Sequence, residues 1–412
     1  MTLIEELKAR ELFFAATSEE FEQYLENNKV TFYLGCDPTG DSLHVGHLVT
    51  YLVAKRLQNH GHHPVLLVGG ATGRIGDPKQ QGERKMLPIE TINQYVEKLK
   101  KQVKDIFGFE TIVNNYDWCC NINMLDFLRD YGKEFNVNYM INKETVKARL
   151  ETGISYTEFS YQILQALDWN HLYKEMNCTV QIGGQDQWGN MTSGIELIRK
   201  KNGADAKVMA MTIPLILKSD GTKFGKSEDG KSVWLDEKKT SPYEFYQFWI
   251  NLPDSEVIKR LKQFTFLSLE EIDNIENEWK KAPETRLAQK VLAKEMTTFI
   301  HKEKGYEEAL KITNALFSGN IKELTATEIN MAFKDFPCTI LTQETPLIDL
   351  VINMQVASSK REAREFIKNG AISINGEKVT DENKIVSIND AIDSTYIVIR
   401  RGKKKYALAK FN

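Results

Sequence analysis

The sequence predicts an α/β protein that begins with a doubly wound parallel sheet and continues with an α-helical domain and a small α+β domain. Short apolar runs alternate with helical patterns through the first 235 residues, as is typical of a parallel sheet. Helical periodicity then replaces the strand signals, and the end of the chain combines a helix with a hairpin. A chain of 412 residues is long enough for several such domains.

The first predicted strand covers residues 31–36 (TFYLGC), a β-rich apolar run. It is broken by the turn residues 37–40 (DPTG) and is followed by a helical pattern over 46–60. A second apolar run, 64–68, ends in two glycines. Strand, loop, helix and strand at this spacing form a βαβ unit, which predicts ligand binding at the carboxyl ends of the strands.

Two more strands are predicted at 179–182 and 208–211, so residues 1–235 are assigned to one α/β domain. Residues 236–320 show helical periodicity and are predicted to form a separate α-helical domain. Residues 321–344 have no strong pattern, which indicates a linker.

The C-terminal segment, residues 345–412, is predicted to be a small α+β module. Residues 359–362 have the spacing of a capping box at a helix start, and Gly370 suits the end of that helix. Residues 375–376 (NG) suit a tight hairpin turn. The module contains 12 Lys and Arg against 8 Asp and Glu in a chain of net charge −3, which points weakly to RNA.

Composition excludes several classes of protein. No apolar run reaches the roughly 18 residues that a membrane span needs, and the first residues lack the pattern of a secretory signal. The five cysteines are odd in number and scattered, which suits a reducing compartment and predicts neither disulfides nor a zinc site. We therefore expect a cytoplasmic protein with no bound metal of its own.

The first chemical signal is the sequence HVGH, with His44 and His47 on either side of Gly46 at the mouth of the predicted helix. A helix N-terminus offers free N–H groups to phosphates, glycine allows close approach, and imidazoles can donate hydrogen bonds. The alternative is that these side chains only cap the helix. The position after a strand and a turn favours a nucleotide site.

The second signal is DGTKFGKS (220–227), a glycine-containing loop with Lys223 and Lys226 three residues apart and a terminal hydroxyl on Ser227. Lysines act on phosphate as mobile point charges. Such a run alone is usually a solvated loop. Its presence in the same α/β domain as HVGH makes the two signals more specific together.

The third signal is a polar stripe formed by Tyr161, Gln165 and Asp168, spaced i, i+4 and i+7 in the helical stretch 157–172. Side chains at this spacing project from one face of a helix. The stripe either faces solvent or binds a common ligand. Apolar neighbours are available to anchor the rest of the helix, which weakens the solvent alternative.

With these motifs the chain resembles the bacterial-type tyrosyl-tRNA synthetases, a family of class I aminoacyl-tRNA synthetases, over essentially its whole length. The resemblance rests on YLGCDPTGDSLHVGHL (33–48), ATGRIGDP (71–78), the polar helix with QIGGQDQWGN (181–190), and DGTKFGKS. It implies a Rossmann-like catalytic domain. The segment SSKREAREFIKNGAISINGEKV (358–379) resembles an S4 RNA-binding domain.

The resemblance implies an L-tyrosine site and an ATP site. Tyrosine would be held by Tyr33 and Asp168 at the phenol, by Asp77, Tyr161 and Gln165 at the α-amino group, and by Gln187 near the carboxylate. ATP would be bound by Gly35, Asp37, Gly46, Thr50, Gly184, Asp186 and Lys226. The implied catalytic residues are Thr39, His44, His47, Lys223, Lys226 and Ser227. We expect Asp168 to stay ionised and to accept the substrate hydroxyl.

Three further implications follow from the resemblance. One basic residue after Asp77 would contact pyrophosphate, but the family spacing is not kept here, so Lys79, Arg84 and Lys85 all remain candidates. RNA would be bound by Lys360, Arg361, Arg364 and Lys368. The family also implies a homodimer, joined near residues 127–140 in a segment that is inserted in the catalytic domain. The α-helical domain, residues 236–320, would lie on the anticodon side of the tRNA.

The implied reaction needs no covalent enzyme intermediate. Tyrosine's carboxylate attacks the α-phosphorus of ATP, with Mg²⁺ carried by the polyphosphate, and the tyrosyl group then passes to the 3′-terminal ribose of tRNA(Tyr). Two alternatives remain open: a tryptophanyl-tRNA synthetase or another nucleotidyltransferase, and a synthetase-like RNA-binding protein without catalysis. The pair Tyr33 and Asp168 and the S4-like C-terminal module argue against the first, and the intact histidines and lysines argue against the second.

Overall fold

A computed structural model describes all residues except 79–81, 83–84, 220, 228, 335 and 403–404, and omits the side chains of 144 and 145. The chain forms two compact units. The first contains Met1–Asp236 and Leu252–Leu292, and the second contains Glu237–Asn251 and Ala293–Asn412. No helix in the described part of the chain is both long and apolar enough to cross a membrane.

The first unit is built on a six-stranded sheet with the order β1-β6-β5-β2-β3-β4. Strands β2 to β6 are parallel to their neighbours, and the short β1 is added antiparallel at one edge. The four strands that the sequence predicts are confirmed as β2, β3, β5 and β6. The strands are β1 (Ala15–Ala16), β2 (Thr31–Cys36), β3 (His63–Val68), β4 (Thr111–Asn114), β5 (Cys178–Gly184) and β6 (Met209–Ile213).

The α-helices are numbered along the whole chain. They are α1 (Leu3–Ala9), α2 (Phe21–Asn27), α3 (Val45–Asn59), α4 (Ile89–Phe107), α5 (Tyr116–Cys119), α6 (Met124–Asp126), α7 (Val137–Ile141), α8 (Glu144–Lys147), α9 (Tyr156–Met176), α10 (Trp188–Asn202), α11 (Pro242–Ile250), α12 (Asp254–Phe264), α13 (Leu269–Lys281), α14 (Leu287–Ser318), α15 (Ala326–Ala332), α16 (Leu347–Asn353) and α17 (Lys360–Lys368). Within α14 the backbone is non-helical at Lys302.

The order of the strands creates a switch point beside β2. Strands β3 and β4 lie on one side of β2 in the sheet, whereas β5 and β6 lie on the other side of β2. In open α/β sheets the crevice at such a point, outside the carboxyl ends of the strands, is the usual ligand site. The fold therefore places the candidate site at the ends of β2 and β5.

Helix α9 brings the predicted polar stripe to this crevice. The Ser155 hydroxyl caps its start by accepting a hydrogen bond from the Glu158 N–H (3.2 Å), and the left-handed Asn177 ends it. Its apolar residues Trp169 and Leu172 pack in the same buried cluster as sheet and α10 side chains. The Tyr161, Gln165 and Asp168 side chains of the same helix line the cavity described below.

The second unit contains a five-stranded sheet, a two-stranded sheet and five helices within the described ranges. The five-stranded order is β10-β9-β12-β13-β7, and β11 pairs with β8. The predicted hairpin turn at Asn375 and Gly376 is confirmed, since both residues have positive φ and separate β9 from β10. The strands are β7 (Cys338–Leu341), β8 (Thr345–Pro346), β9 (Ile372–Ile374), β10 (Glu377–Lys378), β11 (Ile385–Val386), β12 (Tyr396–Arg401) and β13 (Lys405–Phe411).

The compact units cut the chain at other places than the predicted domain boundaries. Helices α12 and α13, predicted in the 236–320 domain, pack with the α/β unit. Arg10 and Arg56 explain this, because both donate to backbone carbonyls at the end of α12 and share the Glu6 carboxylate. The predicted linker 321–344 contains α15 and β7, and β7 pairs with β13, a partner too distant in sequence to leave a local pattern.

Candidate active site

A cavity of about 640 Å³ opens at the carboxyl ends of β2 and β5. It lies where the switch point predicts a ligand. Most of the predicted site residues line it, although they come from five separate stretches of the chain. They are Tyr33, Gly35, Asp37, Thr39, His44, Gly46, His47, Thr50, Asp77, Tyr161, Gln165, Asp168, Gly184, Asp186, Gln187, Lys223 and Lys226.

The two histidines of the HVGH motif cap α3 and also face the cavity. His44 Nδ1 accepts a hydrogen bond from the Gly46 N–H (3.0 Å), and His47 Nδ1 accepts one from the His44 N–H (3.3 Å). Their rings are stacked with centroids 3.9 Å apart. Because both Nδ1 atoms accept, the neutral rings carry their proton on Nε2, where it can be donated to a phosphate oxygen.

Both histidines are neutral at physiological pH. Burial lowers the pKa of His44, and the nearby Lys226 ammonium lowers it further. Burial and the neighbouring His44 lower the pKa of His47 to about 3. The pair therefore supplies hydrogen-bond donors to the cavity, and the positive charge comes from the lysine loop.

Two isolated backbone bridges hold that loop: Leu217 is bridged to Lys223, and Lys226 is bridged to Ser232. Gly225 lies between the two lysines with φ 105°, a conformation that favours glycine. The backbone pairing fixes both lysines at the edge of the cavity.

The lysine loop contacts the HVGH loop directly. A Cβ atom at Gly225 would lie 2.6 Å from the Gly46 nitrogen, so only glycine fits there. The strand-like segment after the loop also pairs with the HVGH segment, because the Val45 N–H donates to the Val233 carbonyl (2.9 Å) and His44 is bridged to Trp234. The sequence indicated only that the HVGH and DGTKFGKS motifs belong to one domain. In the structure the two loops pack against each other and are hydrogen-bonded.

Not every predicted residue reaches the cavity. The Ser227 hydroxyl donates to the Lys231 carbonyl and accepts from the Lys231 N–H (both 3.2 Å), and Ser227 does not line the cavity, so its expected place at the phosphates stays a prediction. Lys85 is exposed and outside the lining, while Lys79 and Arg84 lie outside the described residues.

The floor of the cavity holds the buried Asp168 carboxylate. One oxygen accepts from Asn115 Nδ2 and the other from Trp118 Nε1, both at 2.9 Å. Burial raises the pKa of Asp168 to about 7 in spite of these two donors. The expectation of a fully ionised carboxylate is therefore modified, since a carboxyl with a pKa of about 7 is only partly ionised at neutral pH. Burial also raises the pKa of Tyr33, and the nearby Asp168 carboxylate raises it further, so Tyr33 keeps its hydroxyl proton.

A second cavity-lining carboxylate is that of Asp77, which the sequence assigns to the α-amino group. Asp77 accepts hydrogen bonds from Gln187 (3.0 Å) and from Asn190 (3.3 Å), and Asn190 also donates to Gln165 (3.1 Å). Burial raises the pKa of Asp77 to about 6. A bound ammonium group would favour the ionised form and lower that pKa.

A chain of hydrogen bonds joins the two ends of the cavity. Tyr161 donates to one oxygen of Asp37 (2.9 Å), and Thr72 donates to the other (2.6 Å). Asn115 then donates both to Thr72 (3.0 Å) and to Asp168. Sequence reasoning missed Thr72 and Asn115. The signal for Asn115 is its position directly after β4, at the carboxyl edge of the sheet, but that strand was not predicted.

The predicted RNA-binding residues lie in the second unit on α17. The Ser359 hydroxyl caps this helix by accepting from the Glu362 N–H (3.2 Å), which is half of the predicted capping box, while the Glu362 carboxylate accepts from the Ser358 N–H (2.6 Å). The four basic side chains are exposed, and Lys360 forms an ion pair with Asp349 (2.8 Å). Three of them, Arg361, Arg364 and Lys368, share one face of the helix.

Comparison with known proteins agrees with this site. A family model described as "tRNA synthetases class I (W and Y)" matches residues 25–318, and one described as "Tyrosine--tRNA ligase SYY-like C-terminal domain" matches 328–409. A tryptophanyl-tRNA synthetase from Encephalitozoon cuniculi shares the fold, with a TM-score of 0.53 at 14% identity over 74% of this chain and 89% of that one. The sheet, the cavity and the joined loops are those of a class I tRNA synthetase.

Full-length relatives narrow the assignment. A tyrosine--tRNA ligase from Listeria monocytogenes serotype 4b is 52% identical over 420 residues, covering all of both chains. A tyrosine--tRNA ligase 2 from Bacillus cereus is also 52% identical over both full lengths. A truncated mitochondrial tyrosyl-tRNA synthetase from Aspergillus nidulans superposes with a TM-score of 0.69 at 29% identity, over 77% of this chain and 94% of that chain. The chain belongs to the tyrosyl-tRNA synthetase family.

Proposed function

We propose that the protein activates L-tyrosine with ATP to tyrosyl-adenylate and transfers the tyrosyl group to the 3′-terminal ribose of tRNA(Tyr). The observation that carries this proposal is the joined pair of phosphate-binding loops at the mouth of a cavity whose floor is a buried carboxylate. ATP suits the mouth, and a phenol suits the floor. We further propose that the protein works in the cytoplasm.

Tyrosine is oriented by polar groups at both ends of the cavity. Its hydroxyl lies between Tyr33 and Asp168, and its ammonium group is bound by Asp77, with Tyr161 and Gln165 beside it. Gln187 lies near the carboxylate. This orientation aims the substrate carboxylate at the α-phosphorus of ATP, which is how positioning alone accelerates an in-line displacement.

ATP binds along the HVGH loop, with its ribose near Asp186 and Gly184 and its sugar and phosphates near Gly35, Asp37, Thr39, Gly46 and Thr50. The Nε2–H groups of His44 and His47 donate to phosphate oxygens. Lys223 and Lys226 stabilise the charge that develops on the leaving pyrophosphate. Mg²⁺ bound to the polyphosphate neutralises part of its charge.

Selectivity for tyrosine follows from the polar floor. Phenylalanine has no hydroxyl to satisfy Asp168 and Tyr33, so its binding leaves both groups without a substrate partner. A site of this kind rejects the analogue without an editing step, and the handling of tyrosine against phenylalanine by tyrosyl-tRNA synthetases is the standard example. An indole would also misplace its N–H relative to an acceptor set for a phenol.

The remaining parts of the protein serve tRNA and assembly. Arg361, Arg364 and Lys368, with Lys360 at the helix start, contact tRNA phosphates, while residues 236–320 act on the anticodon side. Two copies associate through the segment 127–140, where large apolar side chains are exposed. They are Leu128, Val137 and Tyr139, with Met124 and Leu125 just before the segment. A mass of 47.3 kDa alone in a size measurement at micromolar concentration contradicts the dimer.

The decisive experiment is ATP–pyrophosphate exchange with the purified protein. We expect exchange with tyrosine and none with tryptophan, followed by charging of tRNA(Tyr). Exchange driven by tryptophan would support the tryptophanyl alternative. RNA binding without any exchange would support the non-catalytic alternative.

A further inference from the structure

Helix α12 is bonded to the backbone at the start of the lysine loop. The Glu256 carboxylate accepts a hydrogen bond from the Ser219 N–H (2.8 Å), and Arg260 Nη2 donates to the Leu217 carbonyl (2.5 Å). The two side chains also form an ion pair with each other (2.7 Å). The pair therefore holds two backbone groups that lie two residues apart in the loop.

The guanidinium of Arg260 is buried and makes four hydrogen bonds, to Glu256, Gln263 and the Leu217 carbonyl. It is 1% exposed, its Nε donates to Glu256 (3.2 Å), and its Nη1 donates to Gln263 (2.8 Å). Its flat face lies over the Phe224 ring, with 4.5 Å from Cζ to the ring centroid. Phe224 is the residue next to Lys223, and its ring also packs against Phe264 of the same helix (5.4 Å between centroids).

These contacts reach the lysines through the backbone. Leu217 is bridged to Lys223, and the Phe224 N–H donates to the Ile216 carbonyl (3.0 Å). Fixing the Leu217 carbonyl therefore fixes the strand that presents Lys223. Phe224 leads directly into Gly225, whose close packing on the HVGH loop sets the place of Lys226.

A buried ion pair is a poor device for stability alone, because its desolvation offsets most of the attraction. Although burial raises the pKa of Glu256, the Ser219 N–H and Arg260 hold that pKa below its ordinary value, so the pair stays charged. The charged pair instead provides hydrogen bonds to one backbone N–H and one backbone carbonyl of the loop. Two apolar side chains could fill the same space but could not make these hydrogen bonds.

We propose that Glu256 and Arg260 are positioning residues, which hold the loop so that Lys223 and Lys226 meet the polyphosphate of ATP during amino acid activation. This inference rests on the proposed function. Neither Glu256 nor Arg260 is among the residues that line the cavity. Their action goes through the loop backbone and Phe224, and it concerns the transition state more than tyrosine binding.

The test compares three variants in tyrosine-dependent pyrophosphate exchange. Arg260→Met keeps the length of the side chain and loses the bonds, and we expect kcat to fall about tenfold or more with little change in KM for tyrosine. Arg260→Lys should recover part of the loss, since it keeps a cation that can reach one acceptor. Glu256→Gln keeps an acceptor for Ser219, so a smaller fall of a few-fold is expected.

The matched control is Lys259→Met on the exposed side of the same helix, where the ammonium pairs with Glu11 at the surface. It should leave kcat and both KM values unchanged. Equilibrium binding of tyrosine without ATP and thermal unfolding are measured for every variant. A loss of tyrosine affinity and of stability in proportion to kcat would assign the pair a merely structural role and overturn the inference, as would unchanged kcat in both Arg260→Met and Glu256→Gln. Absence of exchange in the unmodified protein would instead refute the proposed function.

Discussion

Asp168 offers a sharp test of the phenol site because its protonation and its partners are both defined. Its carboxyl has a pKa raised to about 7 by burial, and it is the acceptor expected for the tyrosine hydroxyl. In the free enzyme about a tenth of these groups are ionised at pH 6 and about nine-tenths at pH 8. If only the ionised form accepts the phenol, kcat/KM for tyrosine rises about tenfold over that range.

Phenylalanine is the internal control for this pH dependence. Asp77, whose pKa is raised to about 6, also titrates in the range, but it faces the ammonium group that both amino acids carry. The ratio of kcat/KM for tyrosine to that for phenylalanine therefore cancels its effect. We expect the ratio to rise about tenfold between pH 6 and pH 8 in the unmodified protein and to stay flat in Asp168→Asn.

The size of the effect at high pH follows from the bond that is lost. A hydrogen bond to a charged group contributes roughly 1.5–3 kcal/mol, and one between neutral groups roughly 0.5–1.5 kcal/mol. Asp168→Asn should therefore lower kcat/KM for tyrosine by about 1–1.5 kcal/mol, close to tenfold. Tyr33→Phe removes a neutral group and should be milder. Pyrophosphate exchange measures both; a ratio that neither pH nor either substitution changes would refute the assignment of the phenol site.

Three further predictions concern other parts of the molecule. Lys226→Ala should lower kcat for activation and leave tyrosine affinity nearly intact, because its charge acts on the leaving pyrophosphate; an equal loss of tyrosine binding contradicts that role. Gly225→Ala should lower exchange about tenfold or more, since a Cβ there meets the HVGH backbone at 2.6 Å and φ is 105°; full activity would show that the loops need not touch. Replacing Arg361 and Arg364 together with Glu should weaken tRNA charging and its salt dependence while exchange is unchanged; equal charging by variant and unmodified protein refutes the RNA role.

Charge reversal tests the C-terminal module better than its removal. Cutting the chain at Thr345 would delete Val398 and Leu408, which are buried in one cluster with Ile329 and Phe333. The remaining piece would expose that apolar surface and lose the partner of β7. A failure of such a piece would therefore report on folding as much as on RNA binding.

The sequence predicted those parts of the fold that have a local signature. Strands such as β2 and β5 are continuous apolar runs that end in turn residues or glycine, so their limits could be found within one or two residues. The missed β4 has only four residues, none of them fully buried. The missed β1 has two, and both depend on β6 nearly 200 residues away.

The candidate site was predictable residue by residue but not as an assembly. Residue spacing identified the polar stripe on α9 and the two loops. The packing of Gly225 on Gly46 could not be predicted in this way, because the two glycines are far apart in the sequence and their contact leaves no local pattern. The motif predicts that Ser227 binds phosphate, but the motif could not show that its hydroxyl donates to the Lys231 carbonyl. Asn115 was invisible because its role depends on a carboxylate that another helix supplies.

The hydrogen-bonded chain from Asp37 through Thr72 and Asn115 to Asp168 limits how the amino acid specificity of this protein can be redesigned. An apolar residue in place of Asp168, chosen to admit a larger or unnatural side chain, would remove the acceptor of one side-chain N–H of Asn115 and of the indole N–H of Trp118. A library that varies Asp168 alone should thus yield mostly unstable proteins. Libraries that vary Asp168, Asn115 and Trp118 together would allow each buried donor to be replaced at the same time as its acceptor.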